Sequence, residues 1–179
     1  MTDKKNLYQN KFRIESSRLK DWDYSTPWWY YVTICTKDMK CWFGKVENGK
    51  MTYSKIGEKA VEFFINIPEH FPSSEIDYFI IMPNHAHGII IVKDSVEPRH
   101  GVALQTQFGK PIKNSLSTIV NHFKGGVTRF ARKNGMALFQ WQKGFYDHII
   151  RNENDLHRIR TYIQNNPLKW ELDEYYRLR

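Results

Sequence analysis

The stretch IIMPNHAHGIIIV, residues 80–92, joins two apolar runs through the dipeptide Pro83-Asn84. The first run is IDYFIIM, residues 76–82, and the second is HAHGIIIV, residues 85–92. Both runs have the length and the branched aliphatic content of buried strands, and a proline followed by asparagine favours a turn between them. We therefore expect these two strands to pair at the centre of a sheet.

Two histidines, His85 and His87, interrupt the second apolar run. Side chains at positions i and i+2 of a strand point to the same side, so both imidazoles would reach one metal ion and leave other positions open. A His-x-His pair also occurs by chance in strands of no special function. Metal binding is favoured here because an unpaired imidazole in an apolar sheet centre would cost desolvation energy.

The rest of the chain alternates further strand and helix patterns without a regular βα rhythm. A long helix containing Gly125-Gly126 is among them, and such a pair indicates a bend or a close backbone approach. The order predicts an α+β fold, an antiparallel sheet with helices packed on one face. The predicted strands are 28–36, 42–46 and 145–151, and the predicted helices follow Ser54, follow Ser115 and cover 155–165.

The last predicted helix carries a tyrosine and an amide on one face. Its apolar stripe is Leu156, Ile159 and Ile163, and Tyr162 and Asn166 lie together at the edge of that stripe as i and i+4 neighbours. A helix packed on the sheet would bring this edge to the histidines, where Asn166 could supply an oxygen ligand. The alternative is that Tyr162 only packs and Asn166 only ends the helix before Pro167.

Composition and charge narrow the class of protein. The 179 residues suffice for one domain, and Lys and Arg exceed Asp and Glu by 27 to 19, a formal charge of +8. This charge favours a nucleic-acid partner. Lacking a long apolar run, a signal-peptide pattern or a disulfide framework, the chain is expected to be soluble and cytoplasmic, without membrane contact.

Cations and one aromatic ring on the second helix and near the last strand are candidates for DNA contacts, although a solvated surface or a core position would explain each of them as well. These residues are Lys124, Arg129, Arg132, Lys133, Trp141, Lys143 and Arg151.

The stretch at 80–92, taken with FQWQKGFYDHIIRNENDLHRIRTYIQNNP (139–167), resembles the HUH single-tyrosine transposases of insertion sequences, especially their repeat-associated branch. The resemblance runs from Trp28 to Pro167. It implies a ferredoxin-like βαββαβ core, a metal site formed by His85, His87 and Asn166, and Tyr162 as the nucleophile. Many members carry glutamine where this chain has Asn166, so the third ligand departs from the pattern.

The resemblance further implies the partners and the reaction. The substrate would be single-stranded or hairpin DNA, the cofactor Mg²⁺ or Mn²⁺ without any nucleotide, and the product a 5′-phosphotyrosine with a free 3′-hydroxyl. A homodimer is left open. The chain divides into a basic arm (1–27), the transposase domain (28–167) and a tail (168–179).

Two other functions fit the same residues. One is a regulator that binds hairpin DNA without cutting it. The other is a metal-dependent nuclease that uses water as its nucleophile while Tyr162 only positions the phosphate.

Overall fold

The secondary structure alternates strands and helices throughout the described chain. The computed structural model describes residues 22–94, 112 and 114–176, so residues 1–21 of the expected basic arm lie outside the described part. The strands and helices in it are β1 Trp28–Cys35, β2 Gly44–Glu47, β3 Lys50–Tyr53, α1 Lys55–Ile65, α2 Ile67–His70, β4 Ser74–Ile81, β5 His85–Val92, α3 Leu116–Lys133, β6 Tyr146–Ile149 and α4 Glu153–Asn165.

Four strands form one antiparallel sheet in the order β4-β5-β1-β6. Together with α1 and α3 they give the chain order βαββαβ, which confirms the α+β class and the ferredoxin-like core. β4 and β5 pair as expected, but β4 lies at the edge, and the centre consists of β5 and β1. The pattern of β4 agrees with an edge position, since Glu75 and Tyr78 are exposed whereas β5 is buried almost throughout.

Helices cover both faces of the sheet, which corrects the expectation that they share one face. α1 and α3 pack on the face that carries Val32 and Ile90. α4 packs its stripe of Leu156, Ile159 and Ile163 on the opposite face, against Tyr31 and Ile89. Because β5 presents apolar side chains to both sides, each face needs a cover, and the helical periodicity does not tell which face a helix takes.

A separate hairpin, β2 and β3, precedes α1. Its two-residue turn, Asn48-Gly49, has positive φ at both positions (51° and 70°), as the sequence signal Asn-Gly predicts. The strand predicted at 42–46 therefore pairs with Lys50–Tyr53 and not with β1. None of the helices in the described residues is long and apolar enough to cross a membrane.

Side-chain caps begin the three long helices at the residues that the sequence indicates or close to them. The hydroxyl of Ser54 accepts from the backbone of Gly57, that of Ser115 from Thr118, and Oδ1 of Asn152 from Asp155. α3 continues through Gly125 and Gly126, so the pair marks a close approach and no bend. A Cβ at Gly126 would lie 3.1 Å from the Phe63 ring of α1, whereas one at Gly125 would meet only the end of the Arg129 side chain.

The two glycines are expected to respond differently to alanine. Gly125→Ala should stabilise the protein by about 0.5–1 kcal/mol through helix propensity, because Arg129 can move aside. Gly126→Ala should gain nothing or lose stability, since the Phe63 ring between two packed helices has to shift. Urea unfolding of both variants measures the difference, and equal gains at the two positions would contradict the close approach.

Candidate metal and tyrosine site

The two histidines of β5 lie side by side beneath α4. His85 and His87 share one face of the strand with Ala86 directed to the other, and their ring centroids are 4.4 Å apart. Both side chains are fully buried, at 0% exposure. The convergence that the i, i+2 spacing predicts is therefore present.

Nδ1 of each histidine faces a hydrogen-bond partner on the sheet. Nδ1 of His85 lies 2.8 Å from Oδ1 of Asn84, whose amide nitrogen already donates to the carbonyls of Met39 and Tyr175. The Asn84 oxygen must accept, so Nδ1 of His85 carries the proton and Nε2 keeps its lone pair. That Nε2 atom is buried and has no hydrogen-bond partner among the described residues. A buried imidazole nitrogen with an uncommitted lone pair, oriented from its other nitrogen, is the arrangement of a histidine metal ligand.

His87 is oriented by two hydroxyls of β1. Its Nδ1 lies 2.8 Å from the Tyr31 hydroxyl and 2.9 Å from that of Thr33. Either oxygen can accept a proton from Nδ1, and this tautomer again leaves Nε2 as the ligand atom.

Burial keeps both imidazoles neutral. Desolvation lowers the pKa of His85 to about 3. The pKa of His87 is also well below its ordinary value, chiefly through desolvation and then through the neighbouring His85, with the Asp173 carboxylate acting in the opposite direction. Neutral imidazole is the form that binds metal ions.

α4 brings the predicted tyrosine to this pair. The Tyr162 hydroxyl lies 3.3 Å from Nε2 of His87, and the side chain is 40% exposed. Burial, followed by the charge and the hydrogen bond of Asp173, raises the pKa of Tyr162, so the phenol is protonated at neutral pH. Asn166, one turn later, is 2% exposed and ends the helix.

A salt bridge at one edge of the sheet and a hydrogen bond at the other hold α4 in place. Arg160 donates two hydrogen bonds, of 2.7 and 2.8 Å, to the Asp77 carboxylate of β4. At the other edge Asp155 accepts from His148 of β6 at 2.7 Å. Because a bidentate Arg-carboxylate pair fixes direction as well as distance, these contacts set the rotation of α4 that places Tyr162 over His87.

Two residues of the segment after Pro167 complete the site, and sequence analysis missed both. Oδ2 of Asp173 accepts from Nδ2 of Asn166 at 2.8 Å and from the Tyr162 hydroxyl at 3.3 Å. The Tyr175 ring lies over both histidines, with centroids 4.7 Å from His85 and 5.9 Å from His87. The 3-10 segment Pro167–Leu172 turns the chain back to the site, and no periodic pattern in the sequence predicts this return.

Asp173 changes the expected ligand set. The possible ligand atoms of His85, His87 and Asp173 all lie within 4.8 Å of one another. Asn166, the ligand that the resemblance implies, donates its amide nitrogen to Asp173, and its Oδ1 is a buried atom for which the described residues offer no partner. The site thus presents two imidazoles, one carboxylate and one unused amide oxygen.

Comparison with known proteins places the chain in a family. No family model matches the sequence. An uncharacterised protein of Haemophilus influenzae is 42% identical over 165 residues, which are 90% of this chain and 92% of that protein. The chain belongs to the family of this Haemophilus protein.

A solved structure shares the fold of this chain. A REP-associated tyrosine transposase bound to a REP hairpin aligns with a TM-score of 0.56 and 17% identity, over 83% of this chain and 71% of that chain. The fold that the resemblance implies is confirmed by this similarity.

Two of the predicted DNA contacts, Lys124 and Trp141, make hydrogen bonds within the protein. Lys124 donates to the carbonyls of Gln142 and Gly144, and burial lowers its pKa. Trp141 packs among core aromatic residues and donates its indole N–H to the carbonyl of Lys124. Both side chains are occupied in joining α3 to the loop before β6, because a lysine stem and an indole can cover apolar surface while their polar ends find acceptors.

The remaining predicted DNA contacts are exposed but not assembled around the histidines. The α3 cations belong to a helix on the opposite face of the sheet from His85 and His87. The five residues are Arg129, Arg132, Lys133, Lys143 and Arg151. The role of all seven predicted residues in DNA binding stays a prediction.

The histidine pair makes the metal-free protein sensitive to acid. In the unfolded chain the histidines bind protons when the pH falls below their ordinary pKa of 6.5. In the folded chain His85 stays neutral until the pH approaches its lowered pKa of about 3. Stability should therefore fall as the pH drops below about 6.5, by up to about 1.4 kcal/mol per pH unit for each neutral histidine.

Urea unfolding in EDTA between pH 7.5 and 4.5 tests this dependence. His85→Gln and His87→Gln should each show a shallower loss than the wild type over the same range. Parallel curves for the wild type and both variants would contradict the assignment.

Proposed function

We propose that this protein is a DNA transposase that cleaves and rejoins single-stranded DNA with Tyr162 as its nucleophile. The observation that carries the proposal is the position of the Tyr162 hydroxyl. It lies 3.3 Å from a buried histidine of a metal-type cluster, yet its side chain is 40% exposed. Covalent attack on a phosphodiester needs a nucleophile that is reachable by the substrate and adjacent to groups that hold a cation.

The residues fit a divalent cation, Mg²⁺ or Mn²⁺. Nε2 of His85 and of His87 and the Asp173 carboxylate would hold it, with Oδ1 of Asn166 as the further oxygen ligand. When bound, such a cation neutralises the non-bridging oxygens of a phosphodiester and stabilises the departing oxygen.

Asp173 is the proposed proton acceptor for the attack. The Tyr162 pKa is raised, so the hydroxyl must lose its proton as it reacts, and Oδ2 of Asp173 lies 3.3 Å away. The Tyr162 oxygen then forms a bond to phosphorus while the bond from phosphorus to the 3′ oxygen breaks. The proton passes from Asp173 to the 3′ oxygen, which leaves as a hydroxyl.

A covalent product removes the need for a nucleotide cofactor. A phosphotyrosine conserves the energy of the broken phosphodiester, and attack by a 3′-hydroxyl reverses the step and joins DNA. The polarity, with the 5′ phosphate on the tyrosine, follows the transposase resemblance. Hairpin or repeat DNA is the proposed substrate, by analogy with the hairpin-bound transposase of the same fold.

Tyr162→Phe separates the proposed transposase from its alternatives. The substitution removes one oxygen and should abolish the covalent adduct entirely, while a water-using nuclease would still cut and a hairpin regulator would not cut in either form. Denaturing gels of labelled single-stranded hairpins from the flanks of the gene, with Mg²⁺ or Mn²⁺, detect the 3′-side fragment linked to the protein through its 5′ phosphate. His85→Ala should lose the adduct as well. Continued cleavage by Tyr162→Phe would contradict the proposal.

The ligand role of Asp173 gives a separate expectation. Asp173→Asn should weaken Mn²⁺ binding by about tenfold or more, because a charged ligand is replaced by a neutral one of the same shape. Glu174→Gln, the adjacent carboxylate outside the cluster, is the matched control and should bind Mn²⁺ as the wild type does. Isothermal titration with Mn²⁺ measures both, and an unchanged affinity in Asp173→Asn would remove this residue from the ligand set.

A further inference from the structure

A cleft of about 470 Å³ opens beside Tyr162, between α4 and the segment after Pro167. Its wall includes Arg158, Asn165 and Lys169 together with Tyr162 and Asp173. The cleft is large enough for part of a nucleotide chain, and the reactive hydroxyl forms part of its lining. A strand lying in it would pass directly over the nucleophile.

Two cations of this cleft flank Tyr162 along the chain. Arg158 precedes it by four residues, one helical turn, and Lys169 follows it by seven. A third cation of α4, Arg160, is tied to Asp77 and cannot reach into the cleft without breaking that pair.

Both flanking cations can turn to a new partner at little cost. The Arg158 side chain is 72% exposed and forms an ion pair with Asp155, which His148 also contacts. A pair whose cation is largely exposed contributes little to stability, so Arg158 can exchange Asp155 for a phosphate. Lys169 is exposed and lines the cleft.

We propose that this cleft binds the backbone of the strand to be cut, with Arg158 and Lys169 contacting phosphates on either side of the attacked one. The inference rests on the proposed function, since it assigns the substrate path at the same tyrosine. The two cations act as positioning residues that hold the strand in line with the Tyr162 hydroxyl.

Both cations line the cleft that contains Tyr162, Arg158 from α4 and Lys169 from the segment Pro167–Leu172 that turns the chain back to the site. The α3 cations are on the other face of the sheet and cannot serve the same phosphates.

Binding of a fluorescein-labelled oligothymidylate, measured by anisotropy at several NaCl concentrations, tests the proposal. All proteins carry Tyr162→Phe so that no turnover occurs. Arg158→Gln and Lys169→Gln should each weaken binding several-fold, and the double variant should lower the salt slope by about 1.4, since each neutralised phosphate contributes about 0.7. Lys55→Gln, at the start of α1 on the opposite face, is the charge-matched control and should change neither quantity beyond its general effect on net charge.

Conservative variants separate direct phosphate binding from a structural effect. Arg158→Lys and Lys169→Arg retain the charge and should restore most of the affinity and the salt slope. An unchanged salt slope in the double variant, or a fall in Lys55→Gln as large as in either single variant, would overturn the strand path even if the wild type forms the covalent adduct. If the wild type binds the strand through both cations but forms no covalent adduct, the proposed strand path is supported and the proposed transposase activity is overturned.

Discussion

The burial of two neutral imidazoles at the centre of a sheet is the constraint on which the rest of the site depends. A histidine without partners in such a position costs desolvation energy, and each ring here has its shortest hydrogen bonds on the Nδ1 side. Asn84 holds His85, while Tyr31 and Thr33 hold His87. With those atoms occupied, both rings are fixed in rotation and present Nε2 toward the same space under α4, next to Asp173 and the Tyr162 hydroxyl.

α4 combines a structural and a chemical surface on one short helix. Its buried stripe fixes the distance to the sheet, and the pairs Arg160 with Asp77 and Asp155 with His148 fix its rotation. Tyr162 therefore needs no dedicated support to stay near His87, because the packing of its neighbours places it there. A half-buried position also keeps the hydroxyl open to a substrate while shielding the histidines from water.

The segment after Pro167 turns a two-histidine arrangement into a site with a carboxylate. Asp173 connects Asn166 to Tyr162 through one oxygen, so the proposed ligand, nucleophile and proton acceptor form one hydrogen-bonded group. The positive charge of the chain is not confined to the neighbourhood of the site. The cations of α3 and those of α4 face opposite sides of the sheet, and only the latter border the tyrosine.

The sequence by itself determined most of the elements and the pairing of β4 with β5, but neither strand β3 nor its pairing with β2. Period-2 and period-3.6 apolar patterns predicted the strands and the long helices, Asn48-Gly49 the hairpin turn, and the i, i+2 histidines a convergent pair, because each of these depends on neighbours a few residues apart. The resemblance added the βαββαβ order. It also assigned Tyr162 and Asn166, which the structure brings to the histidines.

Only the tertiary structure decided which faces the helices cover, that β4 lies at the edge, that Lys124 and Trp141 hydrogen-bond within the protein, and that Asp173 lies beside the histidines. These outcomes depend on contacts between distant parts of the chain. An apolar stripe specifies that a helix must be covered but not by which surface, and a carboxylate after a proline carries no periodic signal for where the chain returns. The physical reason is that side-chain burial and hydrogen bonding across the fold are properties of the packed molecule, set by geometry that no local pattern encodes.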